Sequence, residues 1–429
     1  MTVRGGALAA AGGLLAVGVL AGLAAWTESG SGDVGGPGRA PDGDTVHVVV
    51  ASELDSTVVY ADGATELVDL GAEPGSRVLG RAPRFRAWTL RAREGDVSAS
   101  GPGLERPRRF DSVAVVARDT GTSVFLQGRP YRGRASLYPV EGHGLVVRSD
   151  VPLEPYVAAV VSAELGSAGR GAEEAVKALA VAARTFAVRF RGRRDSLRGD
   201  LLATGADQVY RGRLAERPRV TGWTRSTAGE LLLHDGAPVR AYYHAACGGR
   251  TARPSDLWDR AGAAYLRSVA DTAPDGSDYC RVAPLHRWER RWSADEFAAA
   301  LAPDSARPLR SLAVRDRSPT GRVTALEAVV GAEAGGGADT LVVERDGLLT
   351  LFPAVEPGLP STWFELVRSP PADDSVVVEG RGSGHGVGLC QWGAIGRARG
   401  GQSYREILRA YYPGTEVSAA TSGARSARP

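Results

Sequence analysis

The chain contains no asparagine, a single methionine and a single lysine, Lys177; every other basic position is arginine. Such a skew points to a GC-rich genome with strong codon bias, which makes the surviving rare residues informative. Basic runs interleaved with aromatics are missing and the formal net charge is only +3. Nucleic acid is therefore excluded as a partner, and a weak attraction to an anionic polymer is all the charge supports. Cysteine is scarce: Cys247, Cys280 and Cys390 only. None of them follows the apolar N-terminus, which excludes a lipid anchor there. No internal repeat is visible. What remains is a chain of 429 residues, long enough to bury a sizeable core in two or three domains.

Residues 5–26 are apolar or glycine after one early arginine. That length can cross a bilayer and also fits a long signal peptide. No sharp small-x-small cleavage site precedes Thr27, so 1–26 is read as a signal anchor, with a cleaved signal peptide as the alternative. Either exports the rest to the extracytoplasmic side, in the periplasm or cell envelope. Residues 27–44, TESGSGDVGGPGRAPDGD, form a disordered linker with nothing to bury. Short apolar or alternating runs such as VHVVVA and SVAVVARD make 45–130 a β-rich N-terminal domain.

The period changes after residue 152: Tyr156, Val157, Val160, Val161 and Glu164 recur at helical spacing before Gly166. An alanine-rich helix follows over 172–190. ELLLHDG and VRAYYHAACGG read as a hairpin, and 286–350 as an insertion holding a helix and a hairpin turned at 319–321. Ser403 and Glu406 form a capping box that opens the last helix, and 418–429 is a disordered tail. The fold class is α+β, a β-rich N-terminal part leading into a mixed α/β domain.

Several residues could carry chemistry. Glycine occupies positions 380, 382, 384, 386 and 388 around a single imidazole, His385. Backbone so stripped of Cβ atoms serves either close approach of a ligand, with His385 in contact, or a tight-packing turn. Glu164 falls on an apolar helical face near a helix C-terminus, and both features raise a carboxyl pKa. A carboxyl held protonated is what protonation of a glycosidic oxygen requires. Lys177 and Arg184 share a helical face; Lys177 could contact substrate or pair with Glu164. In an exported protein Cys247 and Cys280 suit a disulfide, with Cys390 the odd buried thiol. The rival is zinc held by His244, Cys247 and Cys280. No cofactor is otherwise required.

The segment GHGVGLCQWGAIGRARGGQSYREILRAYYPGTEV, together with 156–164 and 174–187, resembles the SpoIID/LytB family of bacterial proteins acting on cell-wall peptidoglycan. The likeness covers roughly 130–417, so 131–417 is expected to be a SpoIID-type domain. It implies that Glu164 is the catalytic acid/base of a lytic transglycosylase cleaving peptidoglycan glycan strands. Gln208 and Tyr210 match the family's DQVY segment and, with Lys177, Arg184, His385, Gln391 and Trp392, form the expected substrate-binding set. The alternative implied by the LytB branch is a non-catalytic enhancer that binds peptidoglycan or a cell-wall amidase. Some family members bind zinc.

Overall fold

The computed structural model describes residues 44–72, 77–258, 262–301, 307–331, 337–345, 347–348, 351 and 358–419. The expected anchor at 1–26, the linker through residue 43 and the tail beyond residue 419 lie outside them. Among the described residues no helix is long and apolar enough to cross a membrane.

Two sheets build the N-terminal part. The larger has seven strands in the order 201–202, 45–54, 144–152, 134–140, 113–117, 65–69 and 78–82. The smaller has six, in the order 129–131, 124–126, 56–61, 88–93, 96–100 and 108–110. Alternation explains the second: Val97 and Ala99 point inward and their neighbours outward. Strand 144–152 is buried along nearly its whole length because it pairs on both edges. The larger sheet takes strands from both sides of residue 130, so no sheet edge separates a 45–130 unit from the rest. Pairing of 45–49 with 148–152 was invisible to local patterning because it spans about a hundred residues.

That pairing buries a charge. Asp150, 2% exposed at its side chain, accepts hydrogen bonds from Ser136 Oγ at 2.6 Å and Arg134 Nε at 2.7 Å, and meets Arg148 Nε and His47 Nδ1 at 2.5 and 2.9 Å. Burial alone would raise this carboxyl. The hydrogen bonds from His47, Arg148 and Ser136 and the charge of Arg148 outweigh it, holding Asp150 well below the usual carboxylate range. A depressed folded-state pKa contributes stability above the unfolded value of about 3.9, lost as pH falls toward the folded one. Asp150→Ala should cost roughly 3–5 kcal/mol, since it leaves Arg148 buried without its partner; a denaturant midpoint within error of the parent would refute this.

Helix α1 (Leu153–Leu165) leaves strand 144–152 directly, and α2 (Glu173–Arg189) packs back against it. The buried face of α2 is mostly alanine, including Ala175, Ala178, Ala182 and Ala183, which lets neighbouring elements approach closely. α3 (Pro218–Arg225) starts on proline, whose missing N–H costs a first turn nothing. The 230–234 strand pairs with 237–238 and with 416–419, so Ser418 and Ala419, expected in a disordered tail, are in a sheet. Of the expected hairpin arm 239–249, Val239 N donates to Leu232 O at 3.1 Å and extends the hairpin, while 243–244 runs parallel to 389–390.

The insertion holds α4 (Ala294–Leu301) and two three-stranded sheets. The hairpin of 309–317 with 323–331 turns where expected, Gly321 N donating to Ser318 O at 2.9 Å. The second sheet runs past residue 350: strand 375–381 is central between 287–293 and 364–368. It buries Val376, Val377 and Val378 and delivers the chain into the glycine run. α5 (Gln391–Arg399) follows, then α6 (Tyr404–Tyr411), opened by the Ser403–Glu406 capping box. The whole is an α+β fold.

Candidate active site

Glu164 sits in the last turn of α1, half-buried, with Val157, Val160 and Val161 of the same helix fully buried. Gln391, the first residue of α5, donates from Nε2 to Glu164 Oε2 at 2.8 Å across 227 residues of chain. Burial pushes the Glu164 carboxyl up; the Gln391 bond, a backbone bond from Val209 and the charge of Arg211 pull partly back, and burial prevails. Around this carboxyl runs a buried polar chain. Tyr156 Oη donates to Gln208 Oε1 at 3.0 Å, and Gln208 Nε2 donates to Tyr243 Oη at 3.1 Å and to the Ala183 carbonyl at 3.3 Å. The Tyr243 phenol is raised by burial and further by the charge of Glu164. The result is a carboxyl biased toward its protonated form, with the exposed Arg211 beside it.

Removing the Gln391 bond tests that bias. A hydrogen bond to a charged group is worth roughly 1.5–3 kcal/mol, so Gln391→Leu, which removes the bond that pulls this carboxyl down, should raise the Glu164 pKa further. Any activity needing the protonated acid would then persist to correspondingly higher pH. An unmoved alkaline limb in the pH profile would show that Gln391 does not set this carboxyl.

The glycine run lies against residues 242–247. Ser383 exchanges two backbone hydrogen bonds with Ala246, at 2.8 and 3.0 Å, and Leu389 N donates to Tyr242 O at 3.0 Å. At Gly388, φ is +73° and an added Cβ would stand 2.1 Å from the Tyr242 carbonyl oxygen. Protein thus packs on the run, as backbone at Gly382 and Gly388 and as the Trp288 ring and the Arg322 guanidinium at Gly380 and Gly386. His385 Nε2 bonds the Tyr243 carbonyl at 2.9 Å and Nδ1 accepts from Val387 N at 3.0 Å. Burial drives its pKa down to about 4, and the ring is edged by Tyr242, His244 and Trp258. The expected substrate contact of His385 is thus replaced by a neutral ring that fixes the backbone of Tyr243. Tyr243 itself, and Arg211, were missed; each stood beside a motif already singled out, one before His244 and the other after Tyr210.

A family model described as "Stage II sporulation protein" matches residues 141–234, the stretch from strand 144–152 through the 230–234 strand. A domain of unknown function matches 277–388 and spans the insertion. An uncharacterized protein of Brachyspira hyodysenteriae is 30% identical over 70% of this chain and 75% of its own length. The chain belongs to the SpoIID/LytB family. Stage II sporulation protein D of Bacillus subtilis is 29% identical, covering 63% of this chain and 76% of that protein. The amidase enhancer of the same organism is 25% identical over 57% of this chain but only 38% of its own length. Membership in the SpoIID/LytB family supports a cell-wall related function acting outside the cytoplasm.

Other residues expected to bind substrate in this SpoIID/LytB chain sit elsewhere. Arg184, 1% exposed, clamps Glu154 at the start of α1 with Nε and Nη2 at 2.7 and 2.8 Å, and spends Nη1 on the Glu230 carbonyl at 3.1 Å. Lys177 pairs with Glu173 and Glu174 of its own helix at 2.7 and 2.9 Å rather than with Glu164. Glu174 in turn accepts from Tyr404 N, which ties α2 to α6. Tyr210 is buried between Tyr131 and Tyr156 in a tilted ring stack. Gln208, also buried, donates to Tyr243 Oη. Trp392 remains half-exposed directly after Gln391 and keeps its place as a sugar-stacking candidate.

The cysteines converge, though not as a bonded pair. The Sγ atoms of Cys247 and Cys280 are 3.6 Å apart and all three thiols are free and buried. Cys390 and Asp271 join them. His244, the expected zinc ligand, turns its Nδ1 to the Val387 carbonyl at 3.2 Å and lies outside the group.

Proposed function

We propose that this SpoIID/LytB protein is a lytic transglycosylase of peptidoglycan, with Glu164 as its general acid and base. The carrying observation is a half-buried carboxyl raised by burial and held by the side chain of Gln391. The groups that set its protonation are Gln391, Val209 and Arg211, none of them a carboxylate. Hydrolysis of a glycoside typically uses two carboxyl groups; a transglycosylase works with one. Protonated Glu164 gives its proton to the glycosidic oxygen as the C1–O bond breaks. The muramoyl 6-hydroxyl attacks C1 of the same sugar, and its proton returns to the Glu164 carboxylate. The products are a new 4-hydroxyl and a 1,6-anhydromuramoyl end. Arg211, exposed beside the acid, suits an anionic group of the substrate, and Trp392 suits a sugar face.

The test is digestion of purified peptidoglycan followed by mass spectrometry. Anhydromuramoyl ends are expected. Reducing ends would indicate a hydrolase, and absence of both products together with stimulation of an added amidase would indicate the enhancer that the name of one relative suggests.

A further inference from the structure

The geometry points to a second binding site, for a short zwitterionic peptide of the cell-wall stem type, in a groove on the insertion. A cavity of about 430 Å³ opens there on the sheet of strands 287–293, 375–381 and 364–368, a size that suits a small ligand. Strand pairing sets what faces it. Glu289, Glu379 and Glu365 stand in one row across the three strands. Two residues along, Arg287 stands opposite Arg381, and Arg381 N donates to Trp363 O at 2.9 Å, which adds Trp363 to that second row. Side chains two apart on a strand share a face, ~6.7 Å from each other. An acidic row and a basic row therefore lie side by side, and both line the cavity.

This charge order works against the sheet itself. Like charges directly opposite across strands destabilise, whereas opposite charges stabilise. Here glutamate faces glutamate and arginine faces arginine. Neighbours relieve only the outer members: Arg317 Nη2 meets Glu365 at 2.6 Å, and Arg287 Nη2 meets Asp278 at 3.5 Å. Among the described residues the side chains of Glu289, Glu379 and Arg381 have no hydrogen-bond or ion-pair partner. Arg381 is held in place all the same, its guanidinium 4.8 Å from the half-buried Trp363 ring. Stacking of that kind fixes the planar fork while leaving its N–H edge to a carboxylate.

A ligand that satisfies both rows carries an ammonium and a carboxylate several bonds apart. Its ammonium, set between Glu289 and Glu379, removes their repulsion, and its carboxylate accepts from Arg381. Its aliphatic segment crosses Gly380, which lies between the rows and has no side chain. A simple cation would leave Arg381 unanswered, and a neutral saccharide would answer neither row. Peptidoglycan stem peptides carry free amino and carboxyl groups on aliphatic chains and so have the required chemistry. Strand 375–381 leads through the glycine run to Gln391, and a stem peptide held in the groove would anchor the glycan strand that bears it. The inference rests on the cell-wall role of the family and not on the chemistry proposed for Glu164.

The experiment titrates the full chain, in non-ionic detergent, with a stem tripeptide that ends in a diamino dicarboxylic acid. Compared with it are the same peptide acylated on its amino groups, the same peptide amidated on its carboxyl groups, and peptide-free glycan oligomers. The unmodified peptide should bind, and either blocked form should bind at least about tenfold more weakly, the worth of one charge-assisted hydrogen bond. Glu379→Gln and Arg381→Gln should each cause a similar loss; if the second fails to fold, the first, at an exposed position, decides. Glu379→Gln should also leave the urea midpoint unchanged or higher, because it removes a repulsion, whereas loss of a merely structural glutamate would lower it. Its release of anhydromuramoyl ends from peptide-free strands should match the parent's, so a parent that releases none overturns the reading of Glu164 and leaves the groove to the titration. Equal affinity for the blocked peptides, no peptide binding at all, or binding of the peptide-free oligomers while the peptide does not bind overturns the proposal.

Discussion

Glu164→Gln should lower glycan cleavage by ~10²–10⁴-fold, the range that a positioned acid contributes, while leaving the thermal midpoint close to the parent's. The carboxyl is biased toward its neutral form by burial, so the neutral amide replaces a group of nearly the same shape and charge. Oε1 of the glutamine can still accept from Gln391 Nε2, preserving the 2.8 Å contact. What is lost is the acidic proton alone. The same bias fixes the pH dependence of the parent. A carboxyl whose folded pKa is raised stays protonated to higher pH, so turnover should be highest below that pKa and fall as pH rises through it. If the variant keeps activity within a few-fold of the parent, Glu164 has no part in the chemistry. If it loses activity and stability together, the residue is structural.

Much of this site was legible because local period and motif type both report on backbone-level facts. The helical spacing of Tyr156, Val157, Val160, Val161 and Glu164 placed the acid on a buried face, and α1 runs over Leu153–Leu165. The Ser403–Glu406 capping box is a local contact and forms as read. Gln391 and Gln208 were singled out by motif alone, and one meets the acid directly while the other orients Tyr243. Most of the failures concern partners far away in sequence, Lys177 being the exception because Glu173 and Glu174 of its own helix take it. Lys177 and Arg184 share a helical face, but a face does not say which carboxylate arrives; Glu154, 30 residues earlier, takes Arg184. His244 and Cys247 have metal-ligand spacing, yet the parallel pairing of 243–244 with 389–390 turns the imidazole to Val387 and brings Cys390 to Cys247 instead. No pattern within either segment encodes that register.

The glycine run is the instructive case, and Gly386→Val tests it with a large expected loss of stability. Gly386 has φ of +82°, where a β-branched residue is a genuine outlier, and its Cβ would stand 2.3 Å from Arg322 Nη2. Neither neighbour can yield cheaply. Arg322 is fully buried behind Trp363, its guanidinium 5.5 Å from that ring, and the Gly386 carbonyl accepts from Ala252 N at 2.8 Å. Backbone strain of ~1–3 kcal/mol adds to the displacement of a buried cation, for a total of roughly 3–5 kcal/mol. Gly401 is the control: its φ is +87° but nothing lies within 4 Å of an added Cβ, so Gly401→Ala should cost only about 1 kcal/mol of strain. Urea midpoints of the two variants separate the accounts. A Gly386→Val protein that unfolds like its parent yet no longer cleaves glycan would return the run to a substrate-facing role. A protein that loses several kcal/mol would mean that glycine at 386 makes room for the buried Arg322 guanidinium rather than for a ligand.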